Sequence, residues 1–558
     1  MSLNEAAKNG PVMVELLTAI LPEILLLLTG SALLLMGASD QLKTRLATPY
    51  VAFLAIAAVI AMQITRVFSP EAVFIDRWGA VQITEFTQYV RLIVAAIALG
   101  LVLLCWPTDR SASGNPSANF ASETGEFFAM LLFAVAGVFL VAGANDIILL
   151  FLAIELASIP MYIMISISRP LPVAQEATVK YFFLGAMSAA ILLFGLSYLY
   201  GTSGSLRLDE IQQSISAGGV SSWEMLGLVM VILGLCFKIA AVPLHFYVGD
   251  VYQGAATPMT AILSFIPKTS GMVALIKILF VSGGGGWVAP PEIAQLIAVL
   301  AVLTMTVGNV LGLIQTNVKR VFAYSSVAHT GYMLVGVAAL VSVHTAPGMQ
   351  AEVQDHALRG VLFYIAAYGV MNVAAFGVLT LLPSKSNKAA TSAETYDDIA
   401  GMGRQHVYMG LAMAASCFSL TGMPLTIGFF GKFFLLQPAL QAGLTWLAVA
   451  TVINAAISAG YYLRIVMVMF MRPEVKLEYF DPDVEEEREF QEVEMHPEPS
   501  LRGPLPVMLA VVLSTVGTIL MGAVFPLTQR LTDRVAQAQF TAPVVNTSES
   551  VEPVTRLP

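Results

Sequence analysis

The sequence predicts an all-α polytopic membrane protein of about fourteen transmembrane helices. Composition is the first reason. Hydrophobic residues fill 57% of the 558 positions and charged residues only 12%, about half the ~25% charge of soluble domains. The second is spacing: apolar runs of about 20 residues, enough to cross a bilayer, recur along the whole chain. The third is punctuation, because Pro, Gly, Ser and charge collect between those runs.

The spans fall at 13–37, 48–67, 86–106, 126–142, 145–168, 174–201, 222–243, 256–281, 290–314, 319–341, 357–383, 406–437, 442–471 and 503–526. The first is too long for a signal-peptide core and is read as a retained helix. Only Gly143–Asp146 separates the fourth from the fifth. The longer connections, 107–125, 202–221, 384–405 and 472–502, read as loops. The chain divides into N-terminal helices one to three (1–125) and helices four to eight (126–281). Helices nine to thirteen (290–471), the acidic loop (472–502) and helix fourteen with its tail (503–558) follow.

Charge narrows the class further. The net charge of −9 owes much to residues 473–500, which hold eleven acids against Lys476 and Arg488. No basic tract suggests nucleic acid. Cys105, Cys236 and Cys417 stand far apart in apolar runs, so an iron–sulfur cluster or structural zinc is not expected. No G-x-G-x-x-G or Walker-type loop is present. Lys and Arg set orientation. Fourteen lie at odd-numbered loops, Lys43 to Arg502, and five at even-numbered loops or nearby helix ends (Arg66, Arg77, Arg91, Arg207, Arg359). Odd loops are therefore expected inside and both termini outside.

Charge at the bilayer centre costs about 2.5–3.5 kcal/mol per residue even on lenient scales. Glu155, Lys238, Lys268, Lys277, His329, Lys432, Arg464 and, near one end, Glu23 nonetheless lie within the spans. Glu155 and Lys238 are near mid-span. One reading is a structural ion pair locking two helices. The other is a lysine that exchanges its proton: burial disfavours the ammonium, a nearby carboxylate favours it, and moving that partner releases the proton. Lys268 is also mid-span. Lys277, closer to a helix end, is expected to snorkel, and Arg464 either lines the interior or reaches the inner edge. His329 has Tyr324, Ser325, Ser326 and Tyr332 on its stretch, which makes a proton relay as reasonable as a hydrogen-bonded core histidine. His245, beside Asp250, has the same two readings.

Gly422, Pro424, Gly428 and Gly431 crowd the span of Lys432. Pro243, Gly249, Gly254 and Pro258 follow Lys238. Both patterns predict a helix broken at membrane depth, tolerated where the freed backbone faces protein or water. Glu155 and Lys238 belong to spans five and seven, His329 and Lys432 to spans ten and twelve. The offset of five is odd, so the second set lies inverted. Inverted repeats with discontinuous helices at matching positions mark transporter folds.

At these residues the sequence resembles the antiporter-like membrane subunits of proton-pumping NADH–quinone oxidoreductase (complex I), subunit N in particular. The resemblance is carried by Ile154-Glu155-Leu156, Phe237-Lys238 through Pro243 and His245, Asp250-Val251-Tyr252 with Gly254, and Thr257-Pro258. It continues through Gln315 to Lys319-Arg320, Tyr324-Ser325-Ser326 with His329, Gly422-Met423-Pro424 through Lys432, and Tyr461 to Arg464. Gly249 stands where the family usually has proline before the Asp-Val-Tyr stretch, and the acidic loop is long for it. The resemblance implies fourteen helices with inverted five-helix repeats at helices four to eight and nine to thirteen, discontinuous in spans seven and twelve. It implies Glu155, Lys238, Lys268 and Lys432 along a central hydrophilic axis: Glu155 with Lys238 as modulating pair, Lys268 as connection, Lys432 as terminal proton site.

The expected function is proton translocation along buried Lys, Glu, His and water, driven by quinone reduction in sister subunits. No cofactor or metal is expected in this chain; quinone, NADH or another donor, flavin and iron–sulfur clusters belong to other subunits. Expected partners are those membrane subunits, sister antiporter-like subunits among them, and the lipid bilayer, in a bacterial inner membrane with both termini periplasmic. A cation/proton antiporter subunit and a structural scaffold are the alternatives.

Overall fold

The computed structural model describes residues 15–67, 74–75, 79–107, 124–169, 171–284, 286–342, 347–384, 392–473 and 504–523. Nearly all of the expected acidic loop and the tail beyond 523 lie outside the described residues. The helices in order are α1 (Leu21–Gly37), α2 (Leu42–Val67), α3 (Glu85–Leu104), α4 (Thr124–Gly143), α5 (Ile147–Ser168), α6 (Pro172–Ser203), α7 (Leu208–Gly218), α8 (Ser222–Lys238), α9 (Val248–Gly254), α10 (Thr257–Ser282), α11 (Pro291–Leu313), α12 (Val318–Val341), α13 (Pro347–Leu381), α14 (Tyr396–Ile399), α15 (Met402–Gln405), α16 (Val407–Thr421), α17 (Ile427–Gln441), α18 (Thr445–Met471) and α19 (Leu505–Ala523). A short antiparallel hairpin, β1 (Phe74–Ile75) and β2 (Gln82–Ile83), pairs Phe74 with Ile83. Among the described residues, ten helices are long and apolar enough to cross a membrane: α2 to α6, α10 to α13 and α18. Shorter apolar helices are α1, α16 and α19.

The turn between α4 and α5 works because Asp146 caps α5, its carboxylate accepting from the amides of Ile148 and Leu149 at 2.8 and 3.1 Å. Ser221 and Glu224 form a reciprocal capping box on α8, and Asn317 caps α12 through the Arg320 amide. Each satisfies donors that a helix start leaves orphaned. Two connections differ from expectation. The 202–221 segment holds α7, which buries Leu208, Ile211 and Ile215 one turn apart; the flanking Gly and Ser obscure that short periodicity. The 384–405 segment holds α14 and α15, the first capped by Thr395 and Asp398.

Packing sorts the helices by polarity in reverse of a soluble protein. The apolar cores of α10 and α12, which carry Lys268 and His329, are wholly buried. Helices α2, α6 and α18 form the rim and turn Leu54, Phe183 and Ile453 outward. Lipid solvates the apolar rim at no cost, whereas charged and hydroxyl groups need protein partners. α11 packs against α12 at close range: a Cβ on Gly308 would lie 2.5 Å from the Ala328 amide nitrogen, and one on Gly331 2.5 Å from that of Met305. Small residues that let backbones touch are the usual device between membrane helices.

Candidate proton-relay site

Two expected spans are split, as the Gly/Pro pattern predicts. α8 stops at Lys238 and α9 begins at Val248; α16 stops at Thr421 and α17 begins at Ile427. Each break holds one non-glycine residue in the left-handed region, Ala240 at φ 58° and Leu425 at φ 72°. Such residues cost about 1–3 kcal/mol and persist where the surroundings over-determine them.

The first break places Lys238 at the last turn of α8. Its Nζ donates to Glu155 Oε1 at 2.8 Å and to Ser158 Oγ at 3.0 Å, both on α5. Lys238 is 2% exposed and Glu155 17%, so the pair is joined but its carboxylate lies nearer the outside of the chain. Just beyond Lys238, the carbonyl of Ile239 accepts from Thr330 Oγ1 at 2.7 Å. Thr330 in turn accepts from Lys268 Nζ at 3.3 Å, and Lys268 also donates to the Ser326 carbonyl. Thr330 on α12 thus links the Lys268 ammonium to the backbone one residue past Lys238.

From Lys268 the polar groups continue. Its ammonium lies 5.7 Å from the centre of the Tyr368 ring, which packs against His329. His329 is 1% exposed. Its Nδ1 lies 2.6 Å from Tyr364 Oη and its Nε2 2.9 Å from Tyr462 Oη. Tyr462 also bonds Ser325 Oγ. An imidazole with a hydroxyl at each nitrogen accepts a proton on one side and releases it on the other. Tyr332 bridges to the last site, with its ring edge-on to His329 and 4.6 Å from Lys432 Nζ.

Lys432 meets the second break. Its Nζ donates to the carbonyls of Leu420 and Thr421 at 3.0 and 2.7 Å. These belong to the last turn of α16, where orphan carbonyls and the helix dipole favour a cation. Gly422 turns the chain at φ 91°, where a Cβ would sit 3.0 Å from Lys432 Cδ. Gly428 starts α17 against the first half, its amide donating to Ser419 Oγ at 3.1 Å.

The five expected residues, Glu155, Lys238, Lys268, His329 and Lys432, therefore lie along one row of neighbouring polar groups. Others do not join it. Asp250 bonds Lys180 and Arg320, at 2.8 and 2.7 Å, while His245 packs on Phe246. Arg464 is exposed, over the Tyr396 ring at 4.4 Å. Lys277 does not snorkel: it is 7% exposed and donates to the Ala144 carbonyl at 2.5 Å. Glu23 is paired inside the protein with Arg91. The hydroxyls expected around His329 on its own helix are not its partners; Tyr364 and Tyr462 arrive from α13 and α18. Helical spacing alone carries no signal for them.

A second cluster escaped the sequence. Glu394 accepts from Arg169 at 2.7 Å and from Lys319 at 3.0 Å. The same cations hold the end of α9: Arg169 donates to the Gly254 carbonyl at 2.9 Å, and Lys319 to those of Gln253 and Ala255 at 3.1 and 2.6 Å.

Comparison with known proteins shows the family to which the chain belongs. Residues 144–458 match the family described as NADH:quinone oxidoreductase/Mrp antiporter, transmembrane. NADH-quinone oxidoreductase subunit N of Trichlorobacter lovleyi is 36% identical over 514 residues, 91% of this chain and 94% of that protein. Its counterpart in Myxococcus xanthus is 37% identical over 81% of this chain and 88% of its own. Among solved structures, a chain of respiratory complex I from Thermus thermophilus with bound aureothin aligns with TM-score 0.70 at 27% identity, covering 91% and 98% of the two chains. A chain of the Mrp complex from Dietzia shares the fold, with TM-score 0.73 at 19% identity over 92% and 97%. The chain is a multi-pass membrane protein of the NADH:quinone oxidoreductase/Mrp antiporter family, on its subunit N branch.

Proposed function

We propose that this chain translocates protons as the antiporter-like subunit of a respiratory NADH–quinone oxidoreductase in a bacterial inner membrane. The carrying observation is the row of polar groups from Glu155 through Lys238, Thr330, Lys268, Tyr368, His329 and Tyr332 to Lys432, all but Glu155 buried. Hydrogen bonds and ring contacts join the neighbours, except where the backbone from Lys238 to Ile239 carries the row to Thr330, and both ends adjoin a helix break. An ion pair that opens changes the charge state of its lysine. Drawing Glu155 away from Lys238 drives the Lys238 proton onward, and Lys268, His329 and Lys432 shift in turn.

The chain acts as a non-redox subunit in this reading. Electron donor, flavin, iron–sulfur clusters and quinone belong to sister subunits, and other antiporter-like subunits are its neighbours. The architecture is fourteen crossings: the ten long helices, α1, α19 and the two broken pairs α8–α9 and α16–α17. Helices α4 to α10 form one repeat and α11 to α18 its inverted counterpart. The matched breaks, each with one left-handed non-glycine residue, support that pairing. The Lys and Arg distribution puts both termini on the periplasmic side.

The test is the assembled complex in vesicles. Lys238→Ala and Glu155→Ala are expected to lower coupled turnover by about tenfold or more. Normal turnover with normal proton stoichiometry in both would sink the reading. Sodium-dependent transport surviving without electron donor would favour a cation/proton antiporter instead.

A further inference from the structure

Lys277 has no place on the path just described. Nine residues separate it from Lys268, about two and a half turns at 3.6 residues each, so the two lysines leave α10 on opposite faces. Lys268 turns to α12. Lys277 turns to the junction of α3, α4 and α7 and meets the Ala144 carbonyl. It forms no ion pair among the described residues. The charged groups around it are few. Arg91 lies against Gly143, next to Ala144, and is taken up by Glu23. Asp146 caps α5. Asp209 and Arg207 on the α7 side bond one another.

Beside Lys277 is a cavity of about 50 Å³, lined by Gln82, Ala144, Asn145, Asp209, Gln212 and Phe280 among others. That is room for a few waters at ~10–15 Å³ each, with polar partners to hold them. Asn145 Nδ2 donates to Asp209 Oδ1 at 3.2 Å, and the Asp209 side chain is 31% exposed. The cavity therefore runs from a buried ammonium to a carboxylate at the aqueous edge. On the same face of α10, seven residues before Lys277, Ser270 Oγ is buried with no hydrogen-bond partner among the described residues, a polar group on the stretch between Lys277 and the level of Lys268.

We infer that Lys277 is a second, off-axis proton-exchange site, opening through the Asp209 cavity to the outer aqueous phase. This rests on the proton-translocation reading above. The Lys277 ammonium gives one proton to cavity water, and water passes it by the ionised Asp209 carboxylate to the outer phase; the amine is reloaded from the interior along the Ser270 face. A buried lysine with a single carbonyl partner and a hydrated exit is suited to that exchange; one held only to brace the Ala144 turn needs no cavity.

Arginine separates the two roles, since it donates to a carbonyl but does not give up its proton. In assembled complex reconstituted in vesicles, Lys277→Arg and Lys277→Met are both expected to lower proton pumping per electron, with coupled turnover down by on the order of tenfold. Normal pumping in Lys277→Arg with loss in Lys277→Met assigns a bracing role and overturns the inference. Normal pumping in both overturns it as well. Lys238→Ala runs alongside: if it alone loses pumping, only this inference fails, and if it pumps normally, the underlying reading fails and takes this one with it. Should the Lys277 variants not assemble, Gln212→Cys decides. A membrane-impermeant maleimide applied from the outer face is expected to label it, and absence of labelling in assembled protein overturns the inference.

Discussion

The two helix breaks do the same job with different counter-charges. At the first, Lys238 is held by a carboxylate, Glu155 at 2.8 Å. At the second, Lys432 is held by the carbonyls of Leu420 and Thr421 and forms no ion pair among the described residues. In the proposed translocation, the difference teaches where control can enter. A carboxylate on another helix moves with that helix, so the Lys238 proton answers to the position of α5. Helix-end carbonyls are fixed by the backbone, so Lys432 answers to the charge arriving along the path. The breaks also differ in anchoring. The short α9 is pinned by Arg169 and Lys319 to its last carbonyls, whereas α17 is a full helix seated through Gly428 on Ser419.

The largest expected effect separates the two counter-charges. Lys238→Met leaves Glu155 without its cation and should cost about 3–5 kcal/mol of stability. Lys432→Met frees two carbonyls and takes the ammonium off the Tyr332 ring, leaves no buried charge unpaired, and should cost about 1–3 kcal/mol. Thermal unfolding of the two purified variants checks this, and equal losses would break the comparison. Adding Glu155→Gln to Lys238→Met should recover stability but not pumping. Next comes the anchor of α9. Glu394→Gln leaves Arg169 and Lys319 sharing a neutral amide and should also cost up to about 3–5 kcal/mol, read as reduced thermal stability and lower coupled turnover. An unchanged midpoint would mean the backbone alone holds α9.

Gly428→Ala probes the seat of α17. Its Cβ would fall 1.8 Å from the Ser419 carbonyl oxygen, so α17 must shift, at about 1–3 kcal/mol or more. The yield of assembled protein and its turnover report it; wild-type behaviour would show that α17 slides freely. The smallest effect lies away from both breaks. Burial pushes the Asp209 carboxyl up, but the hydrogen bond and charge of Arg207 outweigh it and hold it below the ordinary carboxylate range. A depressed folded value contributes stability above the unfolded value, about 3.9, and that contribution is lost as pH falls through the folded value. Asp209→Asn should therefore melt slightly earlier at pH 7 and converge with wild type in strong acid.

Much of the site was legible because charge inside a bilayer is costly enough to stand out in any apolar run. Glu155, Lys238, Lys268, His329 and Lys432 were found that way, and both breaks announced themselves through Gly and Pro. Partners were not legible. Tyr364 sits in a run that reads as an ordinary aromatic span, Tyr462 in a stretch marked by family resemblance but not as a partner of His329, and Glu394 in what reads as a loop. Lys277 was misjudged because nearness to a helix end predicts snorkelling only when that end reaches water or lipid headgroups. Here α7, absent from the expected fold, stands over that end and leaves only a small cavity beside Lys277.

The sequence by itself determined that the chain crosses a membrane many times, where its intramembrane charges lie and where two helices break, since hydropathy and backbone restriction are local properties. The tertiary structure decided which charges meet. Hydrogen bonds act over about 3 Å, and the residues they join here, such as Lys238 with Glu155 or His329 with Tyr462, stand 83 and 133 positions apart. Packing decides distances of that kind, and it set the five charges and their hydroxyls on one path while leaving Lys277 on another.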